Sequence, residues 1–119
     1  GTNLISSDIM RGYNDIMILF LLLEHDSYGY EISKEIQTRT KGIYSMKETT
    51  LYSAINRLEK SGYIASYHGS ESFGKPRTYF TITNAGRSYY REKCGEWKLT
   101  RQIVDYFTSE KEENEHEHE

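Results

Sequence analysis

The sequence predicts a mainly α-helical fold with a small β-hairpin. Three successive segments place apolar residues at helical spacing, two short segments then alternate between apolar and polar residues, and a last long segment is helical again. A chain of 119 residues can bury one hydrophobic core. These observations predict one α+β domain of three helices and a hairpin, followed by a long accessory helix.

Two helices are predicted in the first third of the chain. The first is Asp8–Glu24, with Ser7 as its N-cap. Its apolar run, residues 16–23, is far shorter than the roughly 20 residues that span a bilayer, so it predicts a core helix and no membrane contact. The second helix begins after Ser27, a residue type that caps helices, and Gly42 ends it.

The third helix has the clearest start signal. Ser45 and Glu48 have the spacing of a capping box, in which each side chain bonds the other residue's backbone N–H. Gly62 ends this helix, because glycine tolerates the left-handed conformation that closes many helices. The inward-facing stripe of the helix consists of Leu51, Ile55 and Leu58.

After Gly62 the pattern changes to alternation. The two predicted strands, Tyr63–His68 and Arg77–Thr83, are rich in the β-branched and aromatic residues that strands prefer. Residues 69–76 between them contain two glycines and the only proline, which is typical of a hairpin tip. Thr83 can cap a final helix, Asn84–Phe107.

The charge of the chain is unevenly distributed. The formal net charge is −3, but residues 110–119 alone hold six glutamates and one lysine. We predict that residues 109–119 form a disordered acidic tail. Between Lys34 and Arg77 there are eight basic and four acidic residues. This local excess of positive charge is what binding to phosphates requires.

Three short helices followed by a hairpin with a basic tip describe a winged helix-turn-helix. The third helix buries one stripe, and its opposite face has the polar side chains that read base edges in a DNA major groove. That face consists of Lys47, Thr49, Thr50, Ser53, Asn56, Arg57 and Lys60. We expect Lys47, Thr49, Thr50 and Ser53 nearest the bases and Arg57 nearer a phosphate. Such a face is equally typical of a solvated helix, and the basic hairpin residues Lys75 and Arg77 favour the DNA interpretation.

Several motifs together resemble the PadR family of bacterial transcription regulators. The resemblance extends from about Met10 to Phe107. The matching segments are Arg11-Gly12-Tyr13, Asp26-Ser27-Tyr28-Gly29-Tyr30-Glu31-Ile32, Glu48-Thr49-Thr50-Leu51-Tyr52, Arg57-Leu58-Glu59-Lys60-Ser61-Gly62-Tyr63-Ile64, Arg77-Thr78-Tyr79-Phe80-Thr81-Ile82-Thr83 and Ala85-Gly86-Arg87.

This resemblance implies a cytoplasmic homodimer that binds a pseudo-palindromic operator on double-stranded DNA and usually represses. It also implies that Tyr28 and Tyr52 lie near DNA or the core, and we expect them among the DNA-binding residues. The domains it suggests are a winged helix-turn-helix over residues 1–83, a dimerisation helix over 84–108 and the tail. Because the C-terminal region is a single helix, the resemblance predicts DNA binding more firmly than the binding of an effector.

The final helix is the predicted dimer element, because a lone amphipathic helix needs a partner surface to stay folded. Its stripe consists of Tyr90, Cys94, Trp97, Val104 and Phe107. Gly95 in mid-helix suggests a close approach at that point. Trp97 has two interpretations, an anchor of the dimer core or a wall of a pocket for an aromatic or hydrophobic effector.

Other classes of protein agree less well with the sequence. No histidine has zinc-ligand spacing, and neither a phosphate loop nor a serine elbow occurs, so we predict no enzyme, no cofactor and no metal. The single cysteine excludes an internal disulfide and is consistent with a reducing cytosol. A winged helix used only for protein contacts would have a neutral or acidic recognition helix. MarR-like regulators, the nearest DNA-binding alternative, usually have longer chains with additional N-terminal helices.

Overall fold

A computed structural model describes residues 4–69 and 77–109 of the chain. The predicted order of three helical segments, a hairpin and a last long helix is confirmed, with the first segment divided in two. The elements are α1 (Ser7–Met10), α2 (Asn14–Glu24), α3 (Gly29–Arg39), α4 (Glu48–Lys60), β1 (Ile64–Gly69), β2 (Arg77–Ile82) and α5 (Asn84–Phe107).

The prediction of one continuous first helix, Asp8–Glu24, is wrong, because the segment forms two helices. A turn at residues 11–13 separates α1 from α2, and the Tyr13 N–H closes it by donating to the Met10 carbonyl at 2.9 Å. The break includes Gly12, the weakest helix former in this segment. The N-cap is Ser6 and not Ser7, since the Ser6 hydroxyl accepts from the Ile9 N–H at 3.2 Å.

Ser27 does not cap α3, contrary to the prediction. The helix begins at Gly29 with Tyr28 in the N-cap position. Ser27 is buried and forms an isolated antiparallel bridge to Phe80 of β2, with N···O distances of 2.7 and 3.2 Å. Its hydroxyl donates to the Glu31 carboxylate. Ser27 therefore pairs with the hairpin and does not serve as the N-cap of α3, the role that its residue type predicts.

Helix α4 starts later than the predicted capping box at Ser45 and Glu48 implies. Helix α4 begins at Glu48 itself, with Lys47 in the N-cap position and no side-chain cap hydrogen bond. The segment before it is anchored by Tyr44 and Met46, which are both buried in the core. This burial holds the chain extended up to Lys47 and delays the start of the helix.

The predicted helix ends are confirmed. Gly62 has a φ of +82°, and its N–H donates to the Glu59 carbonyl after α4. After α3 both Lys41 and Gly42 have positive φ, and the Gly42 N–H donates to the Gln37 carbonyl at 2.8 Å. Left-handed residues thus close both helices by the expected geometry.

One core lies between α2, α3, α4 and the hairpin. Helix α2 runs through its centre, with Ile18 and Leu19 fully buried. The predicted stripe of α4, together with Ala54, completes the opposite wall. Each fully buried aliphatic side chain contributes about 1.5 to 3 kcal/mol to stability. This packing fixes which face of α4 points to solvent.

The hairpin is a two-stranded antiparallel sheet. Ile64 lies opposite Ile82 at its base, and Gly69 lies opposite Arg77 at the end of the described strands. Ile64, Phe80 and Ile82 face the core. The predicted strands start and end within one residue of the observed ones. Residues 70–76, with the predicted wing-tip base Lys75, lie outside the described residues.

Helix α5 has the predicted bounds and cap. The Thr83 hydroxyl accepts from the Gly86 N–H at 3.0 Å and donates to the Gly62 carbonyl at 2.7 Å. Gly86 leaves no room for a β-carbon, because the Tyr63 carbonyl occupies that space. Gly86 is the only buried residue of α5, so most of this helix lacks cover within the described chain. None of the described helices has the length and apolarity needed to cross a membrane.

Candidate nucleic-acid interface

Helix α4 has one buried and one exposed face. Thr49, Ser53 and Asn56 are exposed and lie opposite the buried stripe, as the helical repeat of about 100° per residue requires. Lys47 is exposed in the N-cap position. Thr49, Ser53 and Asn56 therefore share one accessible polar surface, and together with Lys47 at the N-terminal end of the helix they form what we call the reading face.

A first cluster flanks the reading face on the side of the hairpin. The Arg77 guanidinium lies over the Tyr28 ring, 4.0 Å from its centroid. The Tyr52 hydroxyl rests against Gly29 at the start of α3, where any larger residue would clash with it. These residues line a cavity of about 430 Å³. The structure thus brings together three predicted DNA-binding residues, Tyr28, Tyr52 and Arg77, which we call the wing-side cluster.

Stacked tyrosines attach the hairpin to α3. Tyr79 of β2 lies edge-on to Tyr28 at a centroid distance of 5.5 Å, and Tyr67 of β1 stacks on Tyr79 at 5.7 Å. The Tyr67 hydroxyl donates to the Asp26 carboxylate at 2.6 Å, and this hydrogen bond raises the pKa of Tyr67. Aromatic pairs of this kind contribute about 0.5 to 1.5 kcal/mol each. The chain of contacts fixes Arg77 relative to α4.

The opposite flank of the reading face contains Arg57. Its guanidinium donates to the Asp15 carboxylate of α2 at 2.5 Å, and the exposed fractions of the two side chains are 54% and 12%. The Tyr89 hydroxyl of α5 also donates to Asp15, at 3.4 Å. Tyr89 in turn stacks on Tyr63 with centroids 4.1 Å apart. Arg57 therefore has a structural partner in addition to its predicted role at a phosphate.

The predicted dimer residues form two groups. Tyr90 and Trp97 contact the rest of the chain, with Phe20 6.5 Å from Tyr90 and Tyr13 5.0 Å from Trp97 by ring centroids. Cys94 is half-buried between them on the same face. Val104 and Phe107 are exposed, by 49% and 79%. The second group has no cover within the described part of the chain.

An apolar cavity of about 260 Å³ lies between α2, α3 and α5. Met17, Phe20 and Ile36 line it, and Tyr90 closes the side toward α5. Trp97, the residue for which an effector pocket was considered, does not line it but follows Tyr90 two turns later along α5. Among residues 4–69 and 77–109, no group of histidine, cysteine, aspartate and glutamate has a metal-binding arrangement.

Three structural features could not be found from sequence patterns. Asp15 is a polar residue at the start of an apolar helix, and only its buried position shows that it links α4 to α5. Gly29 gives room to the ring of Tyr52, a residue 23 positions away, which would have to shift for a larger residue. The stacking of Tyr67 on Tyr79 follows from strand register, which places them opposite each other. For the stacked tyrosines the one signal in the sequence is composition, with 11 tyrosines among 119 residues.

Comparison with known proteins relates the chain to a family of transcriptional regulators. A model of the transcriptional regulator PadR-like family matches residues 18–92. The chain therefore belongs to the PadR-like family of transcriptional regulators, which confirms the resemblance drawn from its motifs. Membership in this family of DNA-binding regulators also confirms that the chain is not an enzyme.

Several relatives cover nearly the whole chain. An uncharacterized protein of Lysinibacillus sphaericus is 46% identical over 104 residues, which is 87% of this chain and 95% of that protein. A transcriptional regulator from Clostridium thermocellum is 56% identical, with a TM-score of 0.82 over 86% of this chain and 99% of that one. A PadR family transcription regulator from Clostridium difficile is 36% identical, with a TM-score of 0.67 over 80% and 97%.

Variants of the Arg57–Asp15 pair should separate the contribution of Arg57 to stability from its contribution to DNA binding. Arg57→Ala leaves the Asp15 charge without its partner, and we expect the free energy of unfolding to fall by about 1 to 2 kcal/mol. This is less than for a fully buried pair, because half of Arg57 is in water. The double variant with Asp15→Asn should recover most of that stability in urea denaturation.

DNA binding should not recover in the same way. In both variants the slope of log affinity against log salt should fall by about 0.9 for each phosphate that Arg57 no longer neutralises, one per subunit. Asp15→Asn alone is the matched control, since it keeps Arg57. Recovery of the wild-type slope in the double variant would show that Arg57 contacts no phosphate.

Proposed function

We propose that this protein is a sequence-specific repressor that binds a pseudo-palindromic operator as a homodimer in the cytoplasm. The observation that carries the proposal is the exposed reading face of α4, opposite a fully buried stripe and flanked by the wing-side cluster. In this proposal residues 1–83 bind DNA, 84–108 form the dimer and 109–119 are an acidic tail. Repression is the outcome that the family resemblance implies.

The side chains of the reading face match the chemistry of base edges. Asn56 can donate and accept toward adenine, Lys47 can donate to guanine, and the hydroxyls of Thr49 and Ser53 can contact either. Thr50 is half-buried at the edge of this surface and contributes a further hydroxyl. These contacts would supply specificity, whereas contacts to phosphates supply most of the affinity.

The wing-side cluster is suited to the DNA backbone. Tyr28 and Tyr52 present phenolic hydroxyls, and stacking on Tyr28 orients the guanidinium of Arg77 without using its N–H donors. A guanidinium fork held in place loses less conformational entropy when it binds a phosphate. We propose that Lys75 extends this contact at the wing tip.

The direct test is binding to DNA from upstream of the protein's own gene, compared with a scrambled duplex, across a salt titration. We expect saturable binding of the native duplex at nanomolar protein, falling steeply with salt. Footprints should show two half-sites about 34 Å apart, one turn of DNA, as dimeric helix-turn-helix proteins require. Equal binding of both duplexes would instead favour a winged helix that acts through protein contacts.

A second copy of the chain is the proposed cover for α5. The exposed residues of its second half form a broad apolar arc that consists of Leu99, Ile103, Val104, Tyr106 and Phe107. A helix of 24 residues with one buried member would not remain folded alone in water. A symmetric dimer buries this arc and sets the distance between the two copies of α4.

Removal of one aromatic ring should weaken the dimer without affecting the single chain. Phe107→Ala should raise the dimer dissociation constant at least about tenfold, since a ring buried in an interface contributes about 2 kcal/mol. Sedimentation equilibrium measures this constant. Lys98→Ala, on the opposite face of α5, is the control. An unchanged constant in Phe107→Ala would remove this end of the helix from the interface.

We further propose that an aromatic or hydrophobic effector binds where Tyr90 and Trp97 face the dimer axis. The support is the apolar cavity beside Tyr90 and the 40% exposure of Trp97, the only tryptophan. The apolar dye ANS should then quench Trp97 fluorescence saturably and weaken DNA binding. Quenching without any effect on DNA binding would leave Trp97 as an anchor of the dimer core.

A further inference from the structure

We propose that Arg11, in the turn after α1, forms a second phosphate site together with Arg57, on the flank of α4 remote from the hairpin. This inference rests on the proposed function and adds a contact to it. It assigns a role to the segment before α2, which otherwise has none in DNA recognition.

A cavity of about 300 Å³ separates this segment from α4. It is lined by Arg11 and Asn14 on one side and by Thr50, Ser53 and Arg57 on the other. Its polar groups are thus mainly N–H and O–H donors from guanidinium and hydroxyl groups. A water molecule takes about 30 Å³ of liquid, so there is room for a phosphate group and several waters.

Arg11 has a defined position although its side chain is exposed. Ile5 and Met10, on either side of α1, pack against the core and hold the helix in place. The hydrogen bond from the Tyr13 N–H to the Met10 carbonyl closes the turn in which Arg11 lies. Arg11 in this turn lines the same cavity as residues of α4.

The acidic groups near the cavity are Asp8 and Asp15. Asp8 pairs with Arg11 at 2.7 Å, but the exposed fractions of these side chains are 84% and 79%. Exposed pairs of this kind contribute about 0 to 1 kcal/mol, so a phosphate can displace Asp8. Asp15 is buried on the inner side and accepts from one nitrogen of Arg57, whose guanidinium has five N–H donors. Asp15 thus orients Arg57 and leaves further donors for the cavity.

The placement of the two flanks matches the geometry of a major groove. Tyr52 and Arg57 are five residues apart, which places them about 140° apart around α4. The reading face lies between them, with Tyr52 in the wing-side cluster and Arg57 in the cavity near Arg11. A helix in the major groove has a phosphate backbone on each side. One cluster would contact one strand, and the pair of arginines would contact the other.

The test compares Arg11→Ala, Arg11→Lys and the control Arg91→Ala in the full chain. Arg91 is exposed on α5, so its removal changes the net charge equally at a distance from the cavity. Salt titrations use the native upstream duplex and the scrambled duplex. Removal of one phosphate contact per subunit lowers the slope of log affinity against log salt by about 1.8 per dimer. The fall in affinity between about 50 and 200 mM salt should then be about 12-fold smaller for Arg11→Ala than for wild type.

Each outcome decides the inference. A lower slope in Arg11→Ala on both duplexes, with wild-type slopes in Arg91→Ala and Arg11→Lys, supports it. A wild-type slope in Arg11→Ala overturns it, and so does an equal decrease in Arg91→Ala, which would reflect net charge alone. Failure of the proposed function is distinct, because it shows as equal affinity of wild type for the two duplexes.

Discussion

The carboxylate of Asp15 is the point at which three helices of this protein meet. It belongs to α2, the central helix of the core, and accepts from Arg57 of α4 and from Tyr89 of α5. A buried carboxylate without partners costs several kcal/mol, so these two hydrogen bonds favour packing in which α4 and α5 both lie beside Asp15. The orientation of the reading face and the direction in which α5 leaves the fold therefore depend on one another. Burial also raises the pKa of Tyr89, which keeps its hydroxyl protonated as the donor.

The hairpin is attached by different chemistry. Phe80 pairs with Ser27 through backbone hydrogen bonds, and Tyr67 and Tyr79 extend a line of aromatic contacts to Tyr28. These contacts join the described strands of the hairpin to the start of α3. A two-stranded hairpin alone is marginally stable in water. Its attachment explains how so small a sheet can hold the guanidinium of Arg77 in place beside α4.

Helix α5 connects recognition of DNA to the proposed dimer. Its first turns are held by Thr83 and by the close contact of Gly86 with Tyr63, whereas its second half extends away with an apolar arc exposed. The apolar cavity beside Tyr90 lies between these two regions. Tyr90 is the chain neighbour of Tyr89, which contacts Asp15. A ligand or partner that displaced Tyr90 would therefore act on α5 next to that contact. In the proposed function, this adjacency gives an effector a short physical route to the recognition helix.

The sequence by itself determined the type, order and approximate bounds of nearly every element, because periodicity of apolar residues and left-handed helix ends are local properties. It also determined the reading face, because Thr49, Ser53 and Asn56 lie opposite the buried stripe of α4 and must therefore point to solvent. Local patterns misplaced the N-caps of α3 and α4, because Ser27 pairs with β2 and the burial of Tyr44 and Met46 keeps the chain extended up to Lys47. Only the tertiary structure decided what flanks α4, because Asp15, Gly29 and Arg11 are brought to it from distant parts of the chain. Contacts between distant residues depend on how helices pack, and no local pattern encodes that packing.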